Sequence, residues 1–206
     1  MRPASVLSAG VLIVVGLVCY AMIRESLALP PEDESVDTLP VLRREVVKWA
    51  LDDAADKIDR RPQTATIAAL LALPRPADLR SDDSSPRYQD KRIAPLETTI
   101  WRLEATLTSI VLREDGDLYL VLVDGRGGIM VGEAPNVEEC KGSVFRDSIA
   151  AVWDQLVERF QPTQRPRPLD LRVTIEGIGF FGRSTDREGA HHSGARLMPI
   201  TRIQFH

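Results

Sequence analysis

The sequence predicts a mainly β protein with one long helix between its strands, following an apolar N-terminal segment. Three observations predict this. Residues 93–206 contain five runs of strand-like apolar patterning. Asp/Gly-rich turns separate the first three runs, and one stretch at helical spacing lies between the third and the fourth.

Thr98 to Arg113 carries Ile100, Leu103, Ala105, Leu107, Ile110 and Leu112. The alternation slips once, which predicts a long curved strand with a bulge near Thr108-Ser109. Asp115-Gly116-Asp117 follows as a hairpin turn, because glycine accepts positive φ and the aspartates bond the local backbone. Leu118 to Val123 is the second strand, Asp124 to Gly128 a second turn, and Ile129-Met130-Val131 the third strand. The glycines at 125, 127 and 128 are turn residues, since no Gly-Lys-Ser/Thr or helix start follows to aim amides at a phosphate. Ser143 is an N-cap candidate for a helix to Phe160, whose Phe145, Ile149, Val152, Trp153, Leu156, Val157 and Phe160 form one stripe. In this stripe Trp153 and Phe160 are expected in the core. Pro162, Pro166 and Pro168 stiffen the connection to a fourth strand, Leu169 to Phe181, and Leu197 to Phe205 is the fifth. Three strands, a helix and two strands is the order of a five-stranded OB-like barrel. All five strands lie in residues 93–206, which predicts that this part folds alone.

The preceding sequence divides by composition. Ala4 to Ile23 is uncharged, and about 20 helical residues span a hydrocarbon layer of roughly 30 Å. Residues 1–28 are therefore a membrane anchor, spanning with residues 4–23, or a signal segment cleaved after Ser26-Leu27-Ala28. Arg2 before the run and the acidic Glu32, Asp33 and Glu34 after it keep the N-terminus cytoplasmic and export the remainder. Residues 29–37 are an acidic Pro-rich spacer. Residues 38–77 read as a helical hairpin: Leu42, Val46, Val47, Ala50, Leu51, Ala54 and Ile58 form a helical stripe stopped at Arg60-Arg61-Pro62. A short helix from Thr66 to about Leu73 follows. Its apolar faces need the next domain or a protein partner, and Arg43, Arg44 and Lys48 read as a solvated face. Residues 78–92 are polar and read as a linker.

Composition narrows the function. With 44% hydrophobic residues and a net charge of -4, the chain is neither a disordered tail nor a general nucleic-acid binder. Cys19 and Cys140 lack CxxC spacing, so no redox motif or zinc site is indicated. Adjacent His191 and His192 diverge on extended backbone, and with His206 they form no spaced ligand set, so no metal or other cofactor is expected.

Trp101-Arg102-Leu103-Glu104-Ala105, then Glu114 through Leu122, Gly177-Ile178-Gly179-Phe180-Phe181, and Leu197-Met198-Pro199-Ile200 resemble a family of small exported bacterial proteins of unknown function. The resemblance covers about residues 93–205 and implies an OB-type barrel. It also shows departures. Tyr119 stands where the family pattern has histidine, Gly182 where it has aspartate, and Thr185 where it has a second histidine. Ser193 replaces asparagine, and Arg196 and Met198 replace glutamate and histidine. The missing types are those that metal binding or acid–base chemistry would use.

Two functions from different classes follow. One is a membrane-anchored extracytoplasmic, non-catalytic module that binds a partner or ligand. The other is a metal-dependent nuclease-like hydrolase, in which Asp115, Asp117 and Glu133 hold the ion and Arg126 binds phosphate. The alternative to that site is turn residues and a solvated strand end.

Overall fold

A computed structural model of the chain describes residues 44–80, 85–183 and 193–206. The apolar run 4–23, the spacer, Thr185 and the His191-His192 pair lie outside these residues. Among the described residues no helix is long and apolar enough to cross a membrane.

The fold is mainly β. Among the described residues six strands form one sheet: β1 (Asp59–Thr64), β2 (Thr99–Leu112), β3 (Leu118–Val123), β4 (Ile129–Ala134), β5 (Arg167–Phe181) and β6 (Ala195–Phe205). Their order is β1-β2-β3-β4-β6-β5, and β2 also pairs with β5. The strands thereby close into an incomplete ring, in which β4 and β6 meet through the single parallel pair Gly132 and Leu197. In β2 the register with β3 and with β5 shifts between Leu107 and Ser109, the position of the expected bulge. That bend lets one 14-residue strand serve β3 at its C-terminal half and β5 along most of its length. Gly116 turns the β2–β3 hairpin at φ 85°. The Asp124 carboxylate accepts from the Arg126 and Gly128 amides at 2.9 and 2.8 Å, so this loop is a self-bonded turn.

The ring interior is the core. Leu103, Leu107, Ile110, Leu120, Leu122, Ile175, Phe181 and Leu197 are buried there with Val152, Leu156 and Phe160 of the helix α3 (Arg146–Phe160). The helix begins three residues after Ser143, whose hydroxyl accepts from the Phe145 amide in a local turn instead of capping it. Trp153 differs from expectation: it is only partly buried against this core, whereas Phe160 is buried.

The segment expected as a helical hairpin is different in kind. Among its described residues only Glu45–Lys48 (α1) and Ile67–Leu71 (α2) are α-helical, with a 3-10 turn at Ala55–Lys57 and the strand β1 between them. The helix α1 stops at Ala50, which has φ 53°. The Leu51 amide there bonds Val46 O and the Ala50 amide bonds Val47 O, a C-terminal closure. Asp52 then bonds the Ala54 amide through its side chain, offering the backbone an alternative to another helical turn. Beyond it, Asp59-Arg60-Arg61-Pro62-Gln63-Thr64 runs parallel to β2 as an exposed edge strand, where Pro62 is tolerated. Thr66 does start a short helix, its hydroxyl accepting from the Ala69 amide.

Nor is 78–92 a divide. Val41–His206 is one compact unit. Leu79 and Ile93 are in the main core with Ile67 and Leu70, and Arg92 is paired with Asp52 at 2.6 Å with both side chains buried. Arg44, expected on a solvated face, has no exposed surface. Its guanidinium forks onto Glu97 and donates to Phe181 O, Tyr88 O and Lys91 O, while one face lies 4.9 Å over the Phe180 ring. Glu97 also accepts from the Ile93 and Phe181 amides, so this buried pair is fully hydrogen-bonded. Residues 44–52 thus form a strap held on the sheet by Arg44–Glu97, Lys48–Asp117 and Asp52–Arg92.

Candidate functional site

A cavity of about 650 Å³ lies between the strap and the strand ends. Glu45, Lys48 and Trp49 come from the strap, Arg113, Asp115, Asp117 and Tyr119 from the β2–β3 hairpin, and Glu133 from β4. Glu139, Phe180, Arg183, Arg196 and Met198 complete the wall. Asp115, Asp117 and Glu133 are therefore brought together as the sequence suggested. Arg126 is not: it is exposed in the turn at the other end of β3 and does not line the cavity.

The carboxylates are already engaged. Asp117 Oδ2 accepts from Lys48 Nζ at 2.8 Å, and its Oδ1 accepts from the Asn136 amide at 2.8 Å. Arg196 Nη1 donates to Glu133 Oε1 and, at 2.7 Å, to the Tyr119 hydroxyl, while its Nη2 donates to Arg183 O. Asp115 Oδ1 accepts from the Asp117 amide, the bond of an Asx turn. Among the described residues, no three His, Cys, Asp or Glu side chains are grouped as metal ligands would be. Gly182 is needed beside this network, because a Cβ there would lie 2.5 Å from Arg196 Nε.

The charges are tuned by burial and by one another. Burial pushes the Asp117 carboxyl up, against the pull of Lys48 and of the Asn136 amide. Burial works against the Lys48 charge too, yet Asp117, Glu133 and Asp115 outweigh it and hold the ammonium above the ordinary lysine range. Burial first and Glu133 second drive the Tyr119 phenol far above its usual value, opposed by Arg196. Cys140 is a buried free thiol, pushed up to about 12 by burial, then by Asp117 and Glu139. It is not a nucleophile at neutral pH.

The upward shifts of Lys48, Tyr119 and Cys140 set an alkaline limit. A group whose value is raised on folding contributes stability that is complete below its unfolded value and is lost as pH rises toward its folded one. The unfolded values are roughly 8.5 for cysteine, 10 for tyrosine and 10.4 for lysine. Urea melts are therefore expected to show falling stability above about pH 9, with shallower falls in Tyr119→Phe and Cys140→Ala. Unchanged slopes in both variants would contradict these shifts.

Sequence reasoning missed Lys48, because it placed it on a solvated helix face, and it drew no reading from Trp49. Tyr119, Arg196 and Met198 stood out only as departures from the resembled family, and all three line the cavity. The chain matches no known protein family, and no curated protein matches it.

Proposed function

We propose that the chain is a non-catalytic binding module, an OB-type barrel displayed outside the cytoplasm behind the apolar segment 4–23. One observation carries the non-catalytic reading: Asp117 and Glu133, the buried carboxylates of the cavity, are each paired with a cation of the chain itself, Lys48 and Arg196. A hydrolase that activates water on a metal needs carboxylate oxygens free to ligate, and a buried ion pair is costly to break. The OB-type reading is supported by pairings that run β2-β3-β4-β6-β5 and return to β2, with α3 between β4 and β5. Export is supported by the uncharged run 4–23 and the acidic residues after it.

The nuclease-like alternative keeps one observation, the convergence of Asp115, Asp117 and Glu133 on one cavity. An assay of the full chain separates the two. With linear DNA and a chromogenic phosphodiester, in calcium, magnesium or manganese, the expected turnover is that of buffer. Turnover that disappears in Glu133→Gln would replace the binding module with a hydrolase.

A further inference from the structure

The cavity also constrains what it would bind, and this step rests on the binding-module reading. Four basic and five acidic side chains line it, so it presents no field that would gather a polyanion. Its buried carboxylates are spent on Lys48 and Arg196, which leaves no ready seat for a divalent cation. Most of the lining is charged or polar, which disfavours an apolar guest. A zwitterion would want its two poles apart. Here the signs interleave instead: Glu45 with Lys48 on the strap, Arg113 with Asp115 at one turn, Glu133 with Arg196 across the β4–β6 seam.

An interleaved array of donors and acceptors whose charges nearly balance, with one acidic group in excess, suits hydroxyl groups, each of which donates once and accepts twice. Several groups have capacity to spare. Lys48 uses one donor on Asp117, and the Arg113 guanidinium, which has no carboxylate partner among the described residues, lies 5.3 Å over the Tyr119 ring. The Trp49 indole N–H is buried, with no hydrogen-bond partner among the described residues. Rings are also present at the wall: Trp49 and Tyr119 are partly exposed, and the C–H face of a sugar can rest on rings of this kind, whereas Phe180 is buried under the Arg44 guanidinium. The volume falls within the roughly 300–1,000 Å³ of small-molecule sites.

We infer that the cavity walled by the strap and the β2–β3 hairpin binds a neutral saccharide of one or two rings through the Lys48, Arg113, Asp115 and Trp49 side chains. Binding would tie the strap to the hairpin.

The test is calorimetric titration of the full chain, kept in a detergent without a sugar headgroup. The probes are glucose, N-acetylglucosamine, cellobiose and chitobiose, with glucuronate, a short oligothymidylate and a glycine-rich tripeptide beside them. At least one neutral sugar is expected to bind. Trp49→Phe, which keeps the ring and removes the N–H, and Arg113→Gln are each expected to weaken it tenfold or more. Arg126→Gln, outside the cavity, should leave it unchanged, and strap amides 44–52 should exchange more slowly in the bound form. Binding of the oligothymidylate or the tripeptide but of no neutral sugar would overturn the saccharide assignment and leave the binding module standing. Binding of none of the probes, or sugar binding unaffected by both cavity variants, would likewise overturn it. Cleavage of a disaccharide during the titration would overturn the non-catalytic reading itself.

Discussion

Glu97→Ala is expected to cost roughly 3–5 kcal/mol, enough to remove much or all of the stability of a domain this size. The substitution strands a guanidinium that has no exposed surface, and it also deletes the acceptor for the Ile93 and Phe181 amides. The cost comes from the uncompensated charge more than from the lost attraction, so a second substitution separates the two. Arg44→Met combined with Glu97→Met removes both charges and keeps apolar volume, and it should recover part of the loss. Urea unfolding followed by tryptophan fluorescence measures both. A Glu97→Ala protein as stable as wild type would show that the pair is not buried as described.

Removing everything before residue 93, the strap included, should have the largest effect. Residues 93–206 contain five of the six strands, and on strand content alone they would fold. They lack Arg44, the partner of buried Glu97, and also Ile67, Leu70 and Leu79 of the main core. Burying each such side chain stabilises by about 1.5–3 kcal/mol, and its absence leaves a gap in the ring interior. The fragment 93–206 is therefore expected to show no cooperative thermal transition, whereas 41–206, which keeps the strap, should melt in one step. Equal, cooperative melting of the two fragments would contradict this.

The difference between these fragments marks where sequence reading succeeds. The strands β2 to β4 were legible because their apolar residues alternate between Asp-Gly turns, two local signals that agree. The bulge at Leu107–Ser109 showed as a slip in that alternation. β1 was not legible: Asp59-Arg60-Arg61-Pro62-Gln63-Thr64 has no apolar face, and only the open edge of β2 makes it a strand. The stripe from Val46 to Ile58 carried a real burial signal: Val46 is exposed, but Val47, Ala50 and Ile58 are buried. They are buried by a folded-back strap, and the periodicity of one helix could not distinguish that. A lone arginine at 44 has no signature of burial, because its partner lies 53 residues away. In the same way Asp115, Asp117 and Glu133 were visible as a group, while the cations that neutralise them come from distant elements.

Those cations are the central point. Under the proposed function the cavity binds without catalysis, a reading that rests on Lys48 and Arg196 pairing with Asp117 and Glu133, the carboxylates a metal would need. Calorimetric titration of the full chain with calcium and with manganese at neutral pH tests this most directly. The expected result is no stoichiometric binding of either ion. One equivalent bound by the wild type, and lost in Asp117→Asn, would contradict it.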